Sequence, residues 1–367
     1  MTFGFFVICG QRNCFNRLSI KVRIFRVKGK WNMKKMKKLL ALLLVAVLAF
    51  SALAGCGSAD ETTSPSAEGT QSETPSQNAG GTEASDEPTE PVAAELDKAA
   101  YDALIASGSV ADDAAIAASA WASAVKEAGV LRVGGTRTSF LFSQLNETDN
   151  SLRGFDAGLY QLLTRYILGD ESKYDLTQVD SSTRESVLTG GTVDVVFATY
   201  SITPARQEVI SFAGPYYTSQ QAVLVKAGNT EITGIDSLAG KTVATQAGST
   251  GPDILAEYAP DAIVQEFQDD TTARQALEQG RVDAYVTDYT LLLNAMVKNP
   301  GLYEIAGGVF GPVDPYGIGL PLDSDGVAFV NDFLQKLIDD GTWAQLWQIT
   351  LGDRTGISTA PEAPAIG

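Results

Sequence analysis

The strongest structural signal in the chain lies at residues 181–217, SSTRESVLTGGTVDVVFATYSITPARQEVISFAGPYY. Residues 184–188 predict a short helical turn that two glycines end. Residues 193–198 form a nearly continuous apolar run, which is typical of a strand buried on both faces. Thr203 and Pro204 then predict a helix start, since Thr is a good N-cap and Pro is pre-organised at the first helical position. A helix, a buried strand and a second helix in this order indicate an α/β fold.

Arg206 lies in the first turn of this predicted helix. A cation at that position has the wrong sign for the helix dipole. Its presence is easier to explain if an anion from elsewhere binds at the same helix end. The alternative is a surface arginine paired with Glu208.

Further strands alternate with helices along the chain, which predicts parallel α/β sheets. The predicted strands are residues 130–133, 241–245 and 282–287. Ligands of such sheets bind beyond the carboxyl ends of the strands. Three polar segments follow strands in this way: residues 199–206, 246–252 and 287–289.

Charge is distributed very unevenly. The segment up to Cys56 has 11 basic residues and no acidic residue. The rest of the chain has 16 basic and 44 acidic residues, a net charge of −28. Such an acidic protein argues against nucleic acid or an anionic membrane surface as a partner. There is no histidine, and the three cysteines, Cys9, Cys14 and Cys56, all precede the folded region. Histidine-dependent nucleophilic sites and the usual zinc sites are therefore excluded, and we expect no cofactor and no metal.

Residues 1–92 are interpreted as a targeting region followed by a tether. Residues 33–55 combine a basic segment, an apolar segment and a small-residue cleavage site, which predicts a secretory signal peptide. Residues 1–32 precede a natural start at Met33 and are interpreted as an over-extended gene model. Residues 56–92 are polar and predict a disordered tether. Residues 93–128 predict an alanine-rich helical pair, packed on the first lobe of the folded region that follows.

Leu53-Ala54-Gly55-Cys56 resembles the bacterial lipobox, in which the cysteine is diacylated and becomes the new N-terminus. This resemblance implies that Cys56 is a lipidation site that anchors the mature protein to the membrane. The alternative is an ordinary signal peptide with an incidental cysteine.

The pattern ATYSITPAR followed by PYY resembles the amino-acid branch of the type 2 periplasmic solute-binding proteins, the extracytoplasmic receptors of ABC importers. The motifs GFD, GST, YGIGLP and DGTW also occur in the family's order, at residues 154–156, 248–250, 316–321 and 340–343. The resemblance implies two α/β lobes, each a mainly parallel sheet flanked by helices, joined by two crossover strands. It places lobe 1 at 129–221 and 321–353, lobe 2 at 222–315, and a loose tail at 354–367.

The resemblance also assigns a ligand site. It implies that Arg206 binds the α-carboxylate of an amino acid, with the Ser201 hydroxyl and the Thr199 carbonyl in the same loop. Thr250 begins a second helix that offers N–H groups from the other lobe. Asp288 is the expected ammonium partner, and its alternative is the N-cap of the helix that begins near Tyr289.

The side-chain pocket is defined less sharply. Ser181 and Arg184 match positions that contact the distal carboxylate in acidic-amino-acid members, although Arg184 could instead be a solvated arginine paired with Glu185 or Asp180. Phe140 and Phe142 are candidate apolar walls or core residues.

The sequence departs from the family at Thr136 and Gly158, where many members have acids, and at Gln246, where some have Lys. The Thr136 departure either moves the ammonium contact wholly onto Asp288 or leaves room for Arg137 to face the ligand. The change at Gln246 loosens the prediction of specificity.

The sequence therefore predicts a monomeric lipoprotein receptor that binds glutamate, then aspartate, and delivers it to an ABC permease at the outer face of the cell membrane. A receptor for glutamine or another polar amino acid is the alternative within this class. A dehydratase-like enzyme on the same scaffold is a rival, since fold does not fix function. A sensory or adhesion module is a second rival.

Overall fold

The computed structural model describes residues 95–367. Residues 1–32, the expected signal peptide at 33–55, the expected tether at 56–92 and the expected lipidation site Cys56 lie outside the described residues. Within the described part of the chain, no helix has the length and apolar character needed to cross a membrane.

Three helices, not the expected pair, form the alanine-rich extension. They are α1 Lys98–Ala106, α2 Asp113–Ala118 and α3 Ala120–Ala128. Ser119 is the reason for the third helix, because its extended backbone ends α2 while its side chain accepts the Ala122 N–H and caps α3. Tyr101 and Val125 of this extension are buried in the core of lobe 1.

Lobe 1 is built on three parallel strands in the order β5-β1-β6, namely β1 Leu131–Gly135, β5 Tyr174–Gln178 and β6 Val195–Ser201. A small antiparallel sheet of β2 Thr138–Ser139, β3 Ser143–Asn146 and β4 Ser151–Arg153 lies beside them. The helices are α4 Phe155–Leu168, α5 Arg184–Thr189, α6 Pro204–Gln207, α10 Gly326–Asp339, α11 Thr342–Trp347 and α12 Asp353–Thr355, with a π-helical turn at Gln348–Gly352.

Lobe 2 repeats this plan with three parallel strands in the order β10-β8-β9. They are β8 Thr242–Gln246, β9 Ile263–Phe267 and β10 Ala284–Asp288. Its helices are α7 Gly251–Tyr258, α8 Asp270–Glu278 and α9 Tyr289–Lys298, with a 3₁₀ turn at Ile235–Ser237.

Two long antiparallel strands, β7 Ile210–Lys226 and β11 Tyr303–Pro321, run through both lobes. Ile318 pairs with Ala213 in lobe 1, and Glu304 pairs with Val225 in lobe 2. The register shifts three times between Ala306 and Ile318, where the two strands pass from one lobe to the other. All eight large-sheet strands are linked in the order β5-β1-β6-β11-β7-β10-β8-β9. The predicted two-lobed α/β architecture with two crossover strands is therefore confirmed.

The C-terminal segment 354–367 is packed, although its composition predicted a loose tail. Ala360, Ala363 and Ile366 pack against the lobe 1 core. The Gly367 N–H also donates to the Gly214 carbonyl of β7 at 3.3 Å. Small apolar side chains bury surface here without forming a helix, which composition alone did not indicate.

Candidate ligand-binding cleft

A cavity of about 700 Å³ lies between the lobes, at the carboxyl ends of the strands. Thr136, Ser181 and Thr199 line it from lobe 1, together with the predicted apolar walls Phe140 and Phe142. From lobe 2 it is lined by residues that include Gln246, Asp270, Arg274 and Asn294. Five candidates from the sequence thus share one cavity, whereas Ser201, Arg206, Arg184, Thr250 and Asp288 form a second, adjoining group.

Arg206 is at the centre of the second group. The start of α6 has the predicted capping, with Pro204 in the first turn and the Thr203 side chain accepting the Arg206 N–H. The Arg206 side chain is 9% exposed; its Nη1 donates to the Ser201 carbonyl at 2.8 Å and its Nη2 to the Gly248 carbonyl of lobe 2 at 3.0 Å. Its acidic neighbour is Glu185 at 3.6 Å, and not Glu208 as the alternative interpretation proposed.

Arg184 is buried beside Arg206, although it does not line the cavity. Its Nη1 donates to the Ala198 carbonyl at 2.9 Å, and its Cζ lies 4.0 Å from the centre of the Tyr200 ring. Burial, and then the charge of Arg206, lower the pKa of Arg184 to about 10. Among the described residues its Nε has no hydrogen-bond partner and no carboxylate lies within 4 Å of its nitrogens. The solvated ion pair considered as the alternative is therefore not formed.

Asp288 is buried at the end of β10, and its side chain makes no capping hydrogen bond to α9. It accepts instead from Gln221 Nε2 and from the Tyr316 hydroxyl, the latter at 2.6 Å. Thr250 is the N-cap residue of α7, also without a side-chain cap bond, and its hydroxyl accepts a long hydrogen bond of 3.5 Å from Gln221. Asp288 and Thr250 are thus linked through one glutamine.

Asp314 is a site residue that sequence reasoning missed. Its Oδ2 accepts from the Ser201 hydroxyl at 2.9 Å, and it pairs with Ser219 of β7, two residues before the Gln221 that pairs with Asp288. Burial, and then the charge of Asp288, raise the pKa of Asp314 to about 7. The available signal was its place two residues before Tyr316, at the edge of the YGIGLP motif.

The family model for the bacterial extracellular solute-binding proteins, family 3, matches residues 131–351, which include this cleft and both crossover strands. The chain belongs to this family. The resemblance to the type 2 periplasmic solute-binding proteins is thereby confirmed.

Individual members of the family are similar over most of their own length. The ABC transporter glutamine-binding protein GlnH of Bacillus subtilis (strain 168) is 31% identical over 227 residues, 61% of this chain and 82% of that protein. The glutamate-binding protein GluB of Corynebacterium efficiens is 30% identical over 221 residues, 57% of this chain and 74% of that protein. A crystal structure of the solute receptors for L-cysteine of Neisseria gonorrhoeae superposes with a TM-score of 0.63 at 26% identity, covering 66% of this chain and 99% of that one.

Asp156 is the second residue of this solute-binding protein that sequence reasoning left without a role, although the GFD motif contains it. It lines the cavity and accepts from the Thr199 N–H at 3.1 Å and from the Tyr216 hydroxyl at 2.8 Å. Thr199 has a φ of +42°, an uncommon backbone conformation for a residue with a side chain. Burial raises the pKa of Asp156 to about 7.

The departures from the family pattern have structural explanations. Thr136 lies at the cavity with its hydroxyl 3.5 Å from the Ser143 carbonyl, while Arg137 donates to the Leu176 carbonyl and is not among the cavity-lining residues. A Cβ at Gly158 would lie 2.5 Å from Leu346 Cδ1, so an acid does not fit there without displacing Leu346. Arg137 therefore does not face the cavity.

Gln246 spans the two lobes. Its Nε2 donates to the Tyr285 hydroxyl at 2.7 Å, and its Oε1 accepts from the Ser181 hydroxyl of lobe 1 at 3.4 Å. The candidate site thus offers two buried guanidinium groups, a pair of carboxyl groups and several hydroxyl and amide groups. Within residues 95–367, no group of three or more His, Cys, Asp or Glu side chains is arranged to hold a metal ion.

Proposed function

We propose that this solute-binding protein is the extracytoplasmic amino-acid receptor of an ABC importer, and that its ligand is an acidic amino acid, glutamate before aspartate. The proposal for an amino acid rests on the names of its relatives, a glutamine-binding and a glutamate-binding protein. The charges of the cleft support it, because they match the two ends of an amino acid.

The α-carboxylate is assigned to Arg206. A guanidinium group can hold a carboxylate with two parallel hydrogen bonds. Arg206 already contacts the Ser201 carbonyl and the Gly248 carbonyl of the loop that precedes α7. We therefore assign the hydroxyl groups of Ser201 and Thr250, which belong to these two segments, to the same carboxylate. Thr199 and Thr136 complete the lobe 1 side. The ammonium group is assigned to Asp288.

The distal carboxylate is assigned to Arg184, with Ser181 nearby in the cavity wall. The observation that carries the acidic assignment is the pair of buried cations around one ring. The Cζ atoms of Arg184 and Arg206 lie 4.0 Å and 5.2 Å from the centre of the Tyr200 ring. In the described part of the chain, Glu185 supplies the only ion pair to either of them. Two buried cations are costly unless anions accompany them, and an acidic amino acid carries two carboxylates.

Calorimetry with glutamate, aspartate and glutamine tests the assignment. Glutamate and glutamine are nearly isosteric, so their discrimination reports the distal charge contact. We expect the wild-type protein to prefer glutamate by at least about tenfold, and Arg184→Gln to weaken glutamate binding while leaving glutamine binding nearly unchanged. Arg132→Gln is the matched control, because Arg132 is exposed at the start of β1 and pairs with Asp194. If the wild type prefers glutamine, or if Arg184→Gln weakens both ligands equally, Arg184 is structural.

Glutamine is the second candidate, and one observation favours it. Arg184 does not line the cavity, whereas the neutral Gln246 and Ser181 do. The same calorimetry separates the two ligands. The relatives are named as binding proteins, and we assign no catalytic residue; incubation with prephenate or arogenate, with no product formed, tests the dehydratase alternative.

We further propose that the receptor works as a monomer, held at the outer face of the cell membrane by a lipid on Cys56. In this arrangement it delivers the free amino acid to the permease of its ABC transporter. No nucleic acid is expected as a partner, in keeping with the acidic charge of the chain after Cys56.

A further inference from the structure

The carboxyl groups of Asp288 and Asp314 come from the ends of two different elements, β10 and the crossover part of β11. Asp288 pairs with Gln221 and Asp314 pairs with Ser219, two residues apart on β7, so the two carboxyl groups lie on either side of the same face of that strand. Asp288 is 6% exposed and Asp314 is half-buried. Building on the proposed function, we propose that these two aspartates hold one shared proton in the ligand-free receptor and release it when the ammonium group of the amino acid binds to them.

The neutral groups around the pair are all donors to it. Gln221 and Tyr316 donate to the two oxygens of Asp288, and Ser201 donates to Asp314. The charged groups that face the pair are Arg184 from α5 and Arg206 from α6. These contacts stabilise one negative charge. They leave the second charge unfavourable, because two carboxylates in a buried site cannot both ionise easily.

The titration of the pair agrees with this geometry. Burial raises the pKa of Asp288 despite the Tyr316 and Gln221 hydrogen bonds and the charge of Arg184. Burial and then the charge of Asp288 raise the pKa of Asp314 to about 7, despite Ser201 and Arg206. Because the two carboxyl groups interact, their two protons are lost in steps that belong to the pair and not to either residue alone.

A buried acceptor beside the pair points to the ligand. Gln221 is 2% exposed, its Nε2 donates to Asp288, and among the described residues its Oε1 has no donor. A buried acceptor without a donor is costly. An ammonium group has three N–H donors. It can therefore give one to Asp288, one to Asp314 and one to Gln221 Oε1.

The number of protons released on ligand binding is set by the charge of the aspartate pair. The pair with one proton carries one negative charge, and binding of the cation favours the doubly ionised pair, so one proton passes to the buffer. With a pKa of about 7, the receptor would release about three quarters of a proton per ligand at pH 6.5 and about a tenth at pH 8. Affinity would rise about tenfold from pH 6 to pH 8 and then level off.

Calorimetric titration with glutamate in a series of buffers of different ionisation enthalpy measures this release. The slope of the observed binding enthalpy against the buffer ionisation enthalpy gives the number of protons. At pH 6.5 we expect a release of about three quarters of a proton from the wild-type protein and almost none from Asp314→Asn. Asp283→Asn is the matched control outside the cleft, because Asp283 is exposed just before β10 and accepts the Thr242 N–H; it should still release the proton. Asp156→Asn identifies the source of the proton, because Asp156 is a second buried carboxyl group with a pKa of about 7 at the same cleft.

The outcomes separate this inference from the proposed function. Saturable glutamate binding with no proton release at pH 6.5 would overturn the shared proton and leave the receptor assignment intact. Release that persists in Asp314→Asn and disappears in Asp156→Asn would assign the proton to Asp156 and overturn the pair. Absence of binding by any amino acid at pH 6.5 and pH 8 would remove the proposed function, and the shared proton with it.

Discussion

Asn294 of lobe 2 joins Leu141 of lobe 1 across the cleft. Its Oδ1 accepts the Leu141 N–H at 2.7 Å, and its Nδ2 donates to the Ser139 hydroxyl at 3.1 Å. Asn294 is 7% exposed and lies on α9, the helix that Asp288 precedes. The helix that follows Asp288 is thus hydrogen-bonded to the loop that carries Phe140 and Phe142, so these bonds join the two lobes beside the cavity.

Replacing Asn294 should weaken ligand binding by destabilising the closed arrangement of the lobes. Each hydrogen bond contributes about 0.5–1.5 kcal/mol, so losing both in Asn294→Ala should weaken binding by about 5- to 140-fold. Small-angle scattering should also show a smaller ligand-induced decrease in radius than in the wild type, because hinge closure accompanies binding. Asn299→Ala is the control, since Asn299 bonds only to Ala295 within the same helix. Unchanged affinity in Asn294→Ala would show that these bonds do not contribute to closure.

Arg206 should dominate affinity for every amino acid, whatever the side chain. Removing one partner of a buried charge pair costs about 2–5 kcal/mol, so Arg206→Ala should weaken binding by a factor of tens to thousands. Arg206→Lys keeps the charge but loses the two parallel bonds, so its affinity should lie between that of the wild type and that of Arg206→Ala. Binding is measured by calorimetry, with folding checked by circular dichroism. A loss smaller than about threefold would place the α-carboxylate elsewhere.

The sequence predicted the parts of the fold that local patterns determine. Residues 195–198 of the apolar run at 193–198 lie on strand β6, and Thr203 with Pro204 begins α6 as their chemistry predicts. Both signals depend on residues that are neighbours in the chain. The alanine-rich extension shows the limit, because one serine, Ser119, divides a helix that composition treats as continuous.

The missed residues owe their roles to contacts between distant segments. Asp314 meets Ser201 from 113 residues away, on a strand whose register shifts. Asp156 on α4 meets the N–H of Thr199 on β6 from 43 residues away. The Arg184 guanidinium lies over the Tyr200 ring, beside Arg206. No periodicity or spacing in the chain encodes these three contacts.

Lipidation at Cys56 is a prediction that depends on the sequence alone. If Leu53-Ala54-Gly55-Cys56 is a lipobox, radiolabelled palmitate should enter the wild-type protein and not Cys56→Ala, and the mature protein should lack Cys9 and Cys14. Cys9→Ala is the matched control and should label normally. Equal labelling of the wild type and Cys56→Ala would show that the cysteine is incidental to an ordinary signal peptide.

Asp156 should make the protein less stable as the pH rises. Its pKa is about 7 in the folded protein, because burial disfavours its charge, and its ordinary value is 3.8. Between these values the folded protein binds a proton that the unfolded chain has lost. The free energy of unfolding must therefore fall as the pH rises from about 4 to about 7, and the Asp156 contribution is constant outside this window.

Asp156→Asn removes this dependence, because the amide does not ionise. Asp288, Asp314 and Asp270 also have raised pKa values, so each makes the free energy of unfolding fall as the pH rises. These three residues are present in both proteins, so their contributions cancel in the difference. The free energy of unfolding of the variant minus that of the wild type should therefore increase by about 1–3 kcal/mol from pH 5 to pH 8, since one pKa unit corresponds to about 1.4 kcal/mol. Urea unfolding at several pH values measures it. A difference that does not change with pH would mean that Asp156 is already ionised in the folded protein at pH 5, with the Thr199 and Tyr216 hydrogen bonds outweighing its burial.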